Sequence, residues 1–291
     1  MLCFGSPGNL KSRVNLFFEA MRKMGYVEGR NVRYEMRYGN GQRDLLPGLA
    51  AELVARAPDV IVSGSTFATP PLMQATKTIP IVMVTAEEAL AMSRQPTRPA
   101  PNVTGTVNNA LEQVPRSFQL TAAVVPSLAR VAALVAPTNS AYPAYRSTLE
   151  SGARASRLHL ELVEAPTRSD LERAVERAAA IAQAMVVMSD ADFYSQRRTI
   201  VELATINRIP AMYPQRGYVE AGGLMSYGQS SEHGFIRAAA FVDRILKGAK
   251  PADVPLELPS KVEFAINRYT ATNMGLSIPP EVLKRADQIV G

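Results

Sequence analysis

The sequence has few of the residues that define several common classes of protein. Of its 291 residues, one is cysteine, two are histidine and none is tryptophan. A single thiol cannot form a disulfide framework, and with two imidazoles it makes a poor set of metal ligands. We therefore expect no disulfide and no metal site. The cysteine, Cys3, lies between Leu2 and Phe4, a pattern that indicates a buried thiol in a β-strand.

Long apolar runs and clustered positive charge are also missing. The apolar stretch over 178–188 is interrupted by Gln183 and is shorter than the roughly 20 residues that cross a bilayer. The 32 basic and 26 acidic residues give a net charge of +6, but the basic residues are spread along the chain. Nucleic-acid binding favours clustered basic residues together with stacking aromatics. We therefore expect neither a membrane span nor a nucleic-acid partner.

What is present is typical of a globular α/β protein. Hydrophobic residues make up 47% of the chain and charged residues 20%, which are ordinary proportions for packed domains. A length of 291 residues suggests about two domains, because domains commonly contain roughly 150 residues. Each domain is then large enough to bury a core.

The two halves of the chain repeat one pattern of strands and helices. The first half predicts strands at 2–5, 32–37, 59–62 and 80–84, with helices at 11–24 and 45–54 and a third before residue 80. The second half predicts strands at 129–136, 159–163 and 185–188 and after Pro210, with helices at 144–157 and 170–182. Asp44 precedes Val60 by 16 residues, as Asp170 precedes Val186. The repeat predicts an α/β fold of two similar doubly wound parallel-sheet lobes joined by crossover strands.

Turn-rich segments mark where the chain crosses between the lobes. The candidates are 99–105 and 222–228, and the helix around 235–246 is expected to return to the first lobe. We predict that lobe 1 comprises 1–106 and 230–252, and that lobe 2 comprises 107–229 and 253–291.

Candidate binding residues of lobe 1 follow its predicted strands. In open parallel sheets the loops that leave the carboxyl ends of strands form the binding crevice. These loops contain Ser6, Ser65, Thr66 and Thr85. Ser65 and Thr66 have an alternative role as helix N-caps, because a hydroxyl oxygen accepts hydrogen bonds from the first amides of a helix.

The corresponding loops of lobe 2 contain Asn139, Asp190 and Tyr213. Asp190 can pair with a ligand ammonium, or it can stabilise a helix N-terminus without any ligand. Tyr213 can pack over an apolar part of a ligand while its hydroxyl bonds a polar part. A role as a core tyrosine fits the sequence equally well.

Catalytic motifs are not found in the sequence. Ser226 lies in Gly-Leu-Met-Ser-Tyr-Gly, where Leu224 occupies the position at which a nucleophile elbow has glycine. The sequence has no Walker loop and no glycine-rich dinucleotide fingerprint. We predict a binding protein that is not an enzyme, with no catalytic residues and no cofactor.

Eight segments, in order along nearly the whole chain, carry a resemblance to one family. They are GYVEGRNV at 25–32, LAAELV at 49–54, DVIV at 59–62, IPIV at 79–82, NVTG at 102–105, GGLMSYG at 222–228, ILKGAKP at 245–251 and MGLSIP at 274–279. With these segments the chain resembles the ABC transporter substrate-binding protein family related to tryptophan- and tyrosine-binding lipoproteins.

The resemblance implies a type I periplasmic-binding-protein fold whose lobes close on a small molecule. It implies a periplasmic or extracytoplasmic protein with an export signal upstream of residue 1, which docks as a monomer on the membrane permease of an ABC transporter. The expected ligand is an amino acid or an aromatic or carboxylate metabolite bound in the cleft between the lobes. Lobe 1 would bind its polar end through Ser65, Thr66 and Thr85, and lobe 2 the remainder through Asn139, Asp190 and Tyr213.

Two alternative functions share this two-lobed architecture. One is the effector-binding core of a transcription regulator, which would need a DNA-binding helix-turn-helix before residue 1. The other is an enzyme that works in the same cleft. Ligand binding without turnover would separate both the receptor and the regulator from the enzyme.

Overall fold

The computed structural model describes residues 1–84, 101–107, 109–139, 141–258 and 262–291. The chain divides into two compact units, Met1–Asn108 with Ser231–Ser260 and Asn109–Ser230 with Lys261–Gly291. We call them lobe 1 and lobe 2. The last of the three predicted boundaries, between residues 252 and 253, differs most, because residues 253–258 belong to lobe 1. There Thr104 donates a hydrogen bond of 2.8 Å to the carbonyl of Val254, and Thr106 forms a β-bridge with Glu257.

The elements follow the predicted alternation of strands and helices. Residues 1–107 form β1 (Leu2–Cys3), α1 (Pro7–Lys23), β2 (Arg37–Tyr38), α2 (Leu46–Ala55), β3 (Ile61–Ser63), a 3₁₀ turn (Thr66–Ala68), α3 (Thr69–Ala75), β4 (Ile81–Met83) and β5 (Val103–Gly105).

The rest of the chain continues in the same manner. Residues 109–229 form α4 (Ala110–Val124), β6 (Arg130–Val135), α5 (Tyr142–Ala155), β7 (His159–Glu164), α6 (Leu171–Ile181), β8 (Ala184–Val187), α7 (Ala191–Ser195), α8 (Arg197–Ile206), β9 (Ala211–Tyr213), α9 (Arg216–Glu220) and β10 (Met225–Gln229). The last part forms α10 (Ser231–Leu246), β11 (Val262–Asn267), α11 (Arg268–Asn273), α12 (Pro280–Leu283) and β12 (Gln288–Val290).

The two sheets share a strand order. Within the described residues, the sheet of lobe 1 has the order β2-β1-β3-β4-β5 and that of lobe 2 the order β12-β11-β10-β9-β8-β6-β7. The strands of lobe 1 pair in parallel, and in lobe 2 only the β10–β11 pairing is antiparallel among the described pairs. The series β2-β1-β3-β4 repeats as β7-β6-β8-β9, which confirms the prediction of two similar doubly wound lobes.

One predicted strand begins too early. Residues 32–36 of the alternating segment 32–37 form no ladder, and the strand begins at Arg37, whose amide donates to the carbonyl of Met1 at 2.9 Å. The segment still has an inward-facing side, because Tyr34 lies against the rings of Phe17 and Phe18. Alternation therefore identified the inward-facing side of this segment, whereas pairing with β1 starts only at its last residue.

The core of lobe 1 lies between its sheet and the helices α1 and α10. Phe17 and Met21 of α1 pack in one buried cluster with Phe235 and Val242 of α10. Cys3 of β1 belongs to the same cluster and has no exposed surface. Burial raises the pKa of its thiol to about 12, so the thiol is protonated at neutral pH. The prediction of a buried strand cysteine is confirmed.

The sheet of lobe 2 is buried on both faces. Along β6, Val131, Ala133 and Val135 enter one cluster, and Ala132 and Leu134 enter the other. Successive residues of a strand point to opposite faces, so a continuous apolar run is what a sheet covered by helices on both sides requires. None of the helices in the described ranges is long and apolar enough to cross a bilayer.

Candidate functional site

The parallel strands of each lobe end at one side of its sheet, which we call the carboxyl edge. The loops after β1, β2 and β3 meet there in lobe 1, and the loops after β6, β8 and β9 meet there in lobe 2. Helices begin in several of these loops, and their first amides have no partner within the helix. This edge is where open parallel sheets bind ligands, and the predicted site residues lie on it.

Ser6 begins helix α1. Its Oγ accepts a hydrogen bond of 3.4 Å from the amide of Asn9, and Pro7 follows as the first helical residue. A proline at that position is compatible with the helix because the first amides make no intrahelical bond. Ser6 therefore has a structural role as a helix cap. Its hydroxyl proton can still be donated, so a ligand contact stays a prediction.

Ser65 and Thr66 lie together in the loop after β3. The alternative role as an N-cap is wrong for Ser65, whose side chain makes no capping bond to the 3₁₀ turn that follows. The Ser65 Oγ is buried and has no hydrogen-bond partner among the described residues. Thr66 begins the 3₁₀ turn. The remaining candidate of this lobe, Thr85, lies outside the described residues.

An aromatic and cationic cluster at the same edge was not predicted. The guanidinium carbon of Arg43 lies 3.7 Å from the ring centroid of Phe67. The Phe67 ring meets Phe4 edge to face, with centroids 4.9 Å apart. The sequence contains no pattern that pairs residue 43 with residue 67, so this cluster is a product of the tertiary fold.

In lobe 2 the structure brings two predicted residues into contact. Asn139 Nδ2 donates a hydrogen bond of 2.7 Å to Asp190 Oδ2, and both residues are 5% exposed. Asn139 Oδ1 in turn accepts from the amide of Ala141 at 2.8 Å. Because these residues follow β6 and β8, which are neighbouring strands, the pair joins two adjacent loops of the carboxyl edge.

Asp190 is also the N-cap of α7. Its Oδ1 accepts hydrogen bonds from the amides of Asp192 at 2.8 Å and Phe193 at 3.0 Å. The helix-capping alternative is therefore confirmed for Asp190. A carboxylate offers about four acceptor positions, and these contacts together with Asn139 occupy three of them, which leaves capacity for one further donor.

Tyr213 lies in the core of lobe 2. Its side chain is 1% exposed and stacks on Tyr218, with centroids 4.7 Å apart and an interplanar angle of 10°. Burial raises the pKa of Tyr213 above its usual range. The structure therefore supports the core alternative for this tyrosine, which lies beneath the edge and supports the loop that follows β9.

Tyr218 extends this aromatic stack towards Asp190. Its hydroxyl is fully buried and has no hydrogen-bond partner among the described residues. Burial, and next the negative charge of Asp190, raise the pKa of Tyr218 well above its ordinary value. Tyr194 meets Tyr218 edge to face at 5.7 Å. The three tyrosine rings form a contiguous aromatic cluster that reaches the neighbourhood of Asp190. No local sequence signal had indicated this cluster.

A small cavity lies inside lobe 2 between α4, α5 and the ends of β8 and β9. Its volume is about 20 Å³, which is room for one or two water molecules. Ser189, Pro214 and Gln113 are among the residues that line it, together with Val114 and Met212.

The chemistry of both edges is that of binding. In the part of the chain that the structure describes, no group of three or more His, Cys, Asp or Glu side chains is placed to hold a metal ion. The polar groups that are brought together are hydroxyls, one guanidinium, one carboxamide and one carboxylate. These groups recognise the charged and polar parts of small molecules through hydrogen bonds and ion pairs.

Two doubly wound lobes of like strand order define the type I periplasmic-binding-protein fold, and solved structures share it. The crystal structure of an ABC domain in complex with L-Trp from Streptococcus pneumonia superimposes with a TM-score of 0.88, at 26% identity, over 99% of each chain. A conserved domain protein from Vibrio cholerae superimposes with a TM-score of 0.90, at 23% identity, over 99% of this chain and 97% of the other.

The chain belongs to the family described as ABC transporter substrate binding protein, whose sequence model matches residues 6–290. A tyrosine-binding protein of Clostridioides difficile (strain R20291) is 22% identical over 256 residues, which are 87% of this chain and 74% of that protein. The family consists of extracytoplasmic solute-binding proteins of ABC transporters and is not a class of enzymes. Membership implies a small-molecule ligand and an ABC permease as partner. The resemblance read from the sequence is therefore confirmed.

Proposed function

We propose that this protein is the solute receptor of an ABC importer and that it delivers an amino acid, or a related aromatic or carboxylate metabolite, unchanged to its permease. The observation that carries the proposal is the family match over residues 6–290. Two relatives support the ligand class, since one was crystallised with L-Trp and the other is a tyrosine-binding protein. We further propose that the receptor acts as a monomer.

The polar groups of the two carboxyl edges suit the two ends of an amino acid. In lobe 1 we propose that Ser65 and Thr66 bind the polar end of the ligand, with Ser6 at the start of α1 beside them. In lobe 2 we propose that Asp190 binds the ammonium group of the ligand through its remaining acceptor position, and that Asn139 orients the side-chain carboxylate of Asp190 by its hydrogen bond. Tyr213 would act from the core by supporting these loops.

Calorimetric titration with L-tryptophan and L-tyrosine tests the receptor function. We expect saturable binding, and a micromolar dissociation constant corresponds to about −8 kcal/mol. Mass spectrometry of the solute after incubation should recover it unchanged. Chemical conversion of a bound solute would contradict a receptor, and an absence of binding to amino acids and to other carboxylates would contradict the ligand class.

Replacement of Asp190 tests the binding residue separately from its role as a cap. Asp190→Ala should weaken binding at least tenfold, about 1.4 kcal/mol, because the ammonium loses its counter-charge. The variant should also lose about 1 kcal/mol of stability, because α7 loses its N-cap. Titration measures the affinity, and chemical denaturation without ligand measures the stability.

Asn267→Ala is the matched control for that variant. Asn267 caps α11 by accepting from the amide of Thr270 at 3.0 Å and is 6% exposed. It is the last residue of β11, which runs antiparallel to β10 and therefore ends at the opposite edge of the sheet. We expect a comparable loss of stability with unchanged affinity. Equal affinities of the two variants would remove Asp190 from the binding site.

A further inference from the structure

Arg43 and Phe67 converge on the end of strand β1. β1 pairs with β2 on one side and with β3 on the other, since Leu2 is in register with both Arg37 and Ser63. Arg43 comes from the loop after β2, and Phe67 comes from the loop after β3. The cluster therefore lies over the central strand of the three, at the same edge as Ser6.

The backbone fixes the position of Arg43. The amides of Gly39 and Gly41 each donate a hydrogen bond of 2.8 Å, to the carbonyls of Cys3 and Phe4 respectively. The carbonyl of Arg43 accepts from the amide of Leu46 at 3.1 Å, at the start of α2. The loop is thus tied to β1 at one end and to a helix at the other, which limits the freedom of the side chain that it carries.

The ring beneath the guanidinium is also held in place. Phe67 is half-buried and lies edge to face on Phe4, which is 2% exposed. A guanidinium on an aromatic face is attracted by the ring quadrupole. Its N–H donors lie in the plane of the group and not on its face, so a stacked arginine retains the geometry that binds a carboxylate edge-on.

A second, independent observation lies two residues before Phe67. The Ser65 Oγ is buried with no hydrogen-bond partner among the described residues. Leaving a buried hydroxyl unbonded is unfavourable, and a ligand oxygen at this edge would accept a hydrogen bond from it. The Ser65 hydroxyl and the Arg43 guanidinium belong to loops of the same carboxyl edge, and donors of these two kinds suit a group with two acceptor oxygens.

We propose that Arg43, supported by Phe67, is a specificity-determining residue of lobe 1, and that the solute it recognises carries a carboxylate. This inference rests on the proposed function, because it assigns the carboxylate of the transported solute to this edge. It adds a charged partner to the hydroxyl residues that the sequence indicated.

The experiment compares probes that differ in one charged group. L-Tryptophan and L-tyrosine are titrated alongside tryptamine and tyramine, which lack the carboxylate, and indole-3-propionate, which lacks the ammonium. The proteins are the parent, Arg43→Gln, Arg43→Lys and the control Arg33→Gln. Arg33 is a basic residue of the same lobe whose side chain is 76% exposed and which pairs with Glu35 at 2.7 Å.

We expect the parent to bind the carboxylate-bearing probes and to bind the amines at least a hundredfold more weakly. Arg43→Gln should lose at least tenfold in affinity for the amino acids. Arg43→Lys should lose less, because it keeps the charge but not the planar pair of donors. Arg33→Gln should bind as the parent does, since it removes the same charge from an exposed position.

The outcomes separate the inference from the proposed function. If the parent binds the amines as tightly as the amino acids, or if both Arg43 variants keep the affinity of the parent, the inference is overturned while the receptor function stands. If the parent binds none of the five probes, the proposed ligand class fails and the inference fails with it. Should Arg43→Gln not fold, Arg43→Lys together with the amine probes still decides the question.

Discussion

Each lobe covers one face of its sheet with a pair of helices, α1 with α10 in lobe 1 and α4 with α5 in lobe 2. The helices α1 and α5 occupy the same place in the repeated pattern, directly after the strands β1 and β6. In lobe 2, α4 and α5 meet through an apolar contact between the ring of Phe118 and the backbone at Gly152. A Cβ atom at position 152 would lie only 3.2 Å from that ring. The glycine permits this close approach.

The helix pair of lobe 1 is also joined by hydrogen bonds at its surface among Tyr26, Asp243 and Lys247, which we call the polar clasp. The Tyr26 hydroxyl, in the loop after α1, donates a hydrogen bond of 3.0 Å to Asp243 of α10. Lys247 donates to the same carboxylate at 2.9 Å. One strand order is therefore compatible with two different ways of joining the helices, which shows that the repeated fold fixes the positions of the elements but not the chemistry between them.

The ends of α1 and α5 differ in another respect. Both helices end in the same hydrogen-bond pattern, in which the residue after the cap adopts a positive φ. That residue is Gly25 in lobe 1, with φ of 94°, and Arg157 in lobe 2, with φ of 57°. Tyr26 and Leu158 then donate back to Met21 and Ala153. Of these two helix ends, that of α1 has glycine, the residue type that this conformation favours, and that of α5 does not.

The largest expected effect comes from breaking the apolar contact of lobe 2. Phe118 has no exposed surface, and Phe118→Ala should destabilise the protein by about 3–5 kcal/mol through lost burial and a cavity. Urea denaturation followed by circular dichroism measures the loss. Tyr269→Ala, which removes an aromatic side chain of the same lobe that is 70% exposed, should change stability by less than about 0.5 kcal/mol. Similar losses in the two variants would contradict the role given to Phe118.

Exchanging the residue types at the helix ends should change stability in opposite directions. Arg157→Gly should stabilise lobe 2 by about 0.5–1 kcal/mol, because glycine relieves the left-handed strain, and Gly25→Ala should destabilise lobe 1 by about 1 kcal/mol. Thermal and urea unfolding of both variants measures these changes. A loss of stability in Arg157→Gly would show that the side chain of Arg157 stabilises more than its conformation costs.

Gly48→Ala is the control for that exchange. Gly48 lies within α2, and a Cβ there would meet nothing within 4 Å. The substitution should stabilise the protein by up to about 1 kcal/mol, because alanine favours the helix. It therefore separates the effect of a positive φ from the general effect of replacing glycine by alanine.

The smallest expected effect concerns the polar clasp of lobe 1 and depends on pH. The hydrogen bond from Lys247, and with it that from Tyr26, holds the pKa of Asp243 below the ordinary value of 3.8. A depressed carboxyl pKa stabilises the fold above the ordinary value, and this contribution is lost as the pH falls through the folded-state pKa. Asp243→Asn should therefore cost a few tenths to about 1 kcal/mol at pH 7, with a smaller difference at pH 3. Urea denaturation at the two pH values measures this, and a difference that grows towards pH 3 would contradict the assignment.

Much of the fold could be predicted because its signals are local. The apolar runs at 59–62, 80–84 and 185–188 mark buried parallel strands, and their spacing repeats between the halves. The strand predicted at 32–37 begins only at Arg37, because alternation identifies an inward-facing side without showing whether a neighbouring strand is in reach. The sequence pattern also placed the start of α1 at residue 11, whereas the helix begins at Pro7. Ser6 and Pro7 form a cap, and apolar periodicity does not indicate caps.

The candidate site was predicted less completely. Asn139 and Asp190 were correctly placed on one edge, because both follow parallel strands of the same sheet. Their mutual hydrogen bond, the choice between a core and a binding role for Tyr213, and the stacking of Arg43 on Phe67 were beyond the sequence. Each depends on the packing of residues that lie far apart along the chain, and side-chain packing has no local signature.

The order of strands and helices, the duplication of the lobes and the family were determined by the sequence alone, because periodicity, turns and family segments are properties of short stretches. The tertiary structure decided which candidate side chains already have hydrogen-bond partners, which are buried in a core and which lack a partner among the described residues. Asp190 caps a helix, Tyr213 belongs to a core, and the hydroxyl of Ser65 is left without a described partner. The reason is physical: a side chain's hydrogen bonds and exposure are set by neighbours that only the packed fold brings to it.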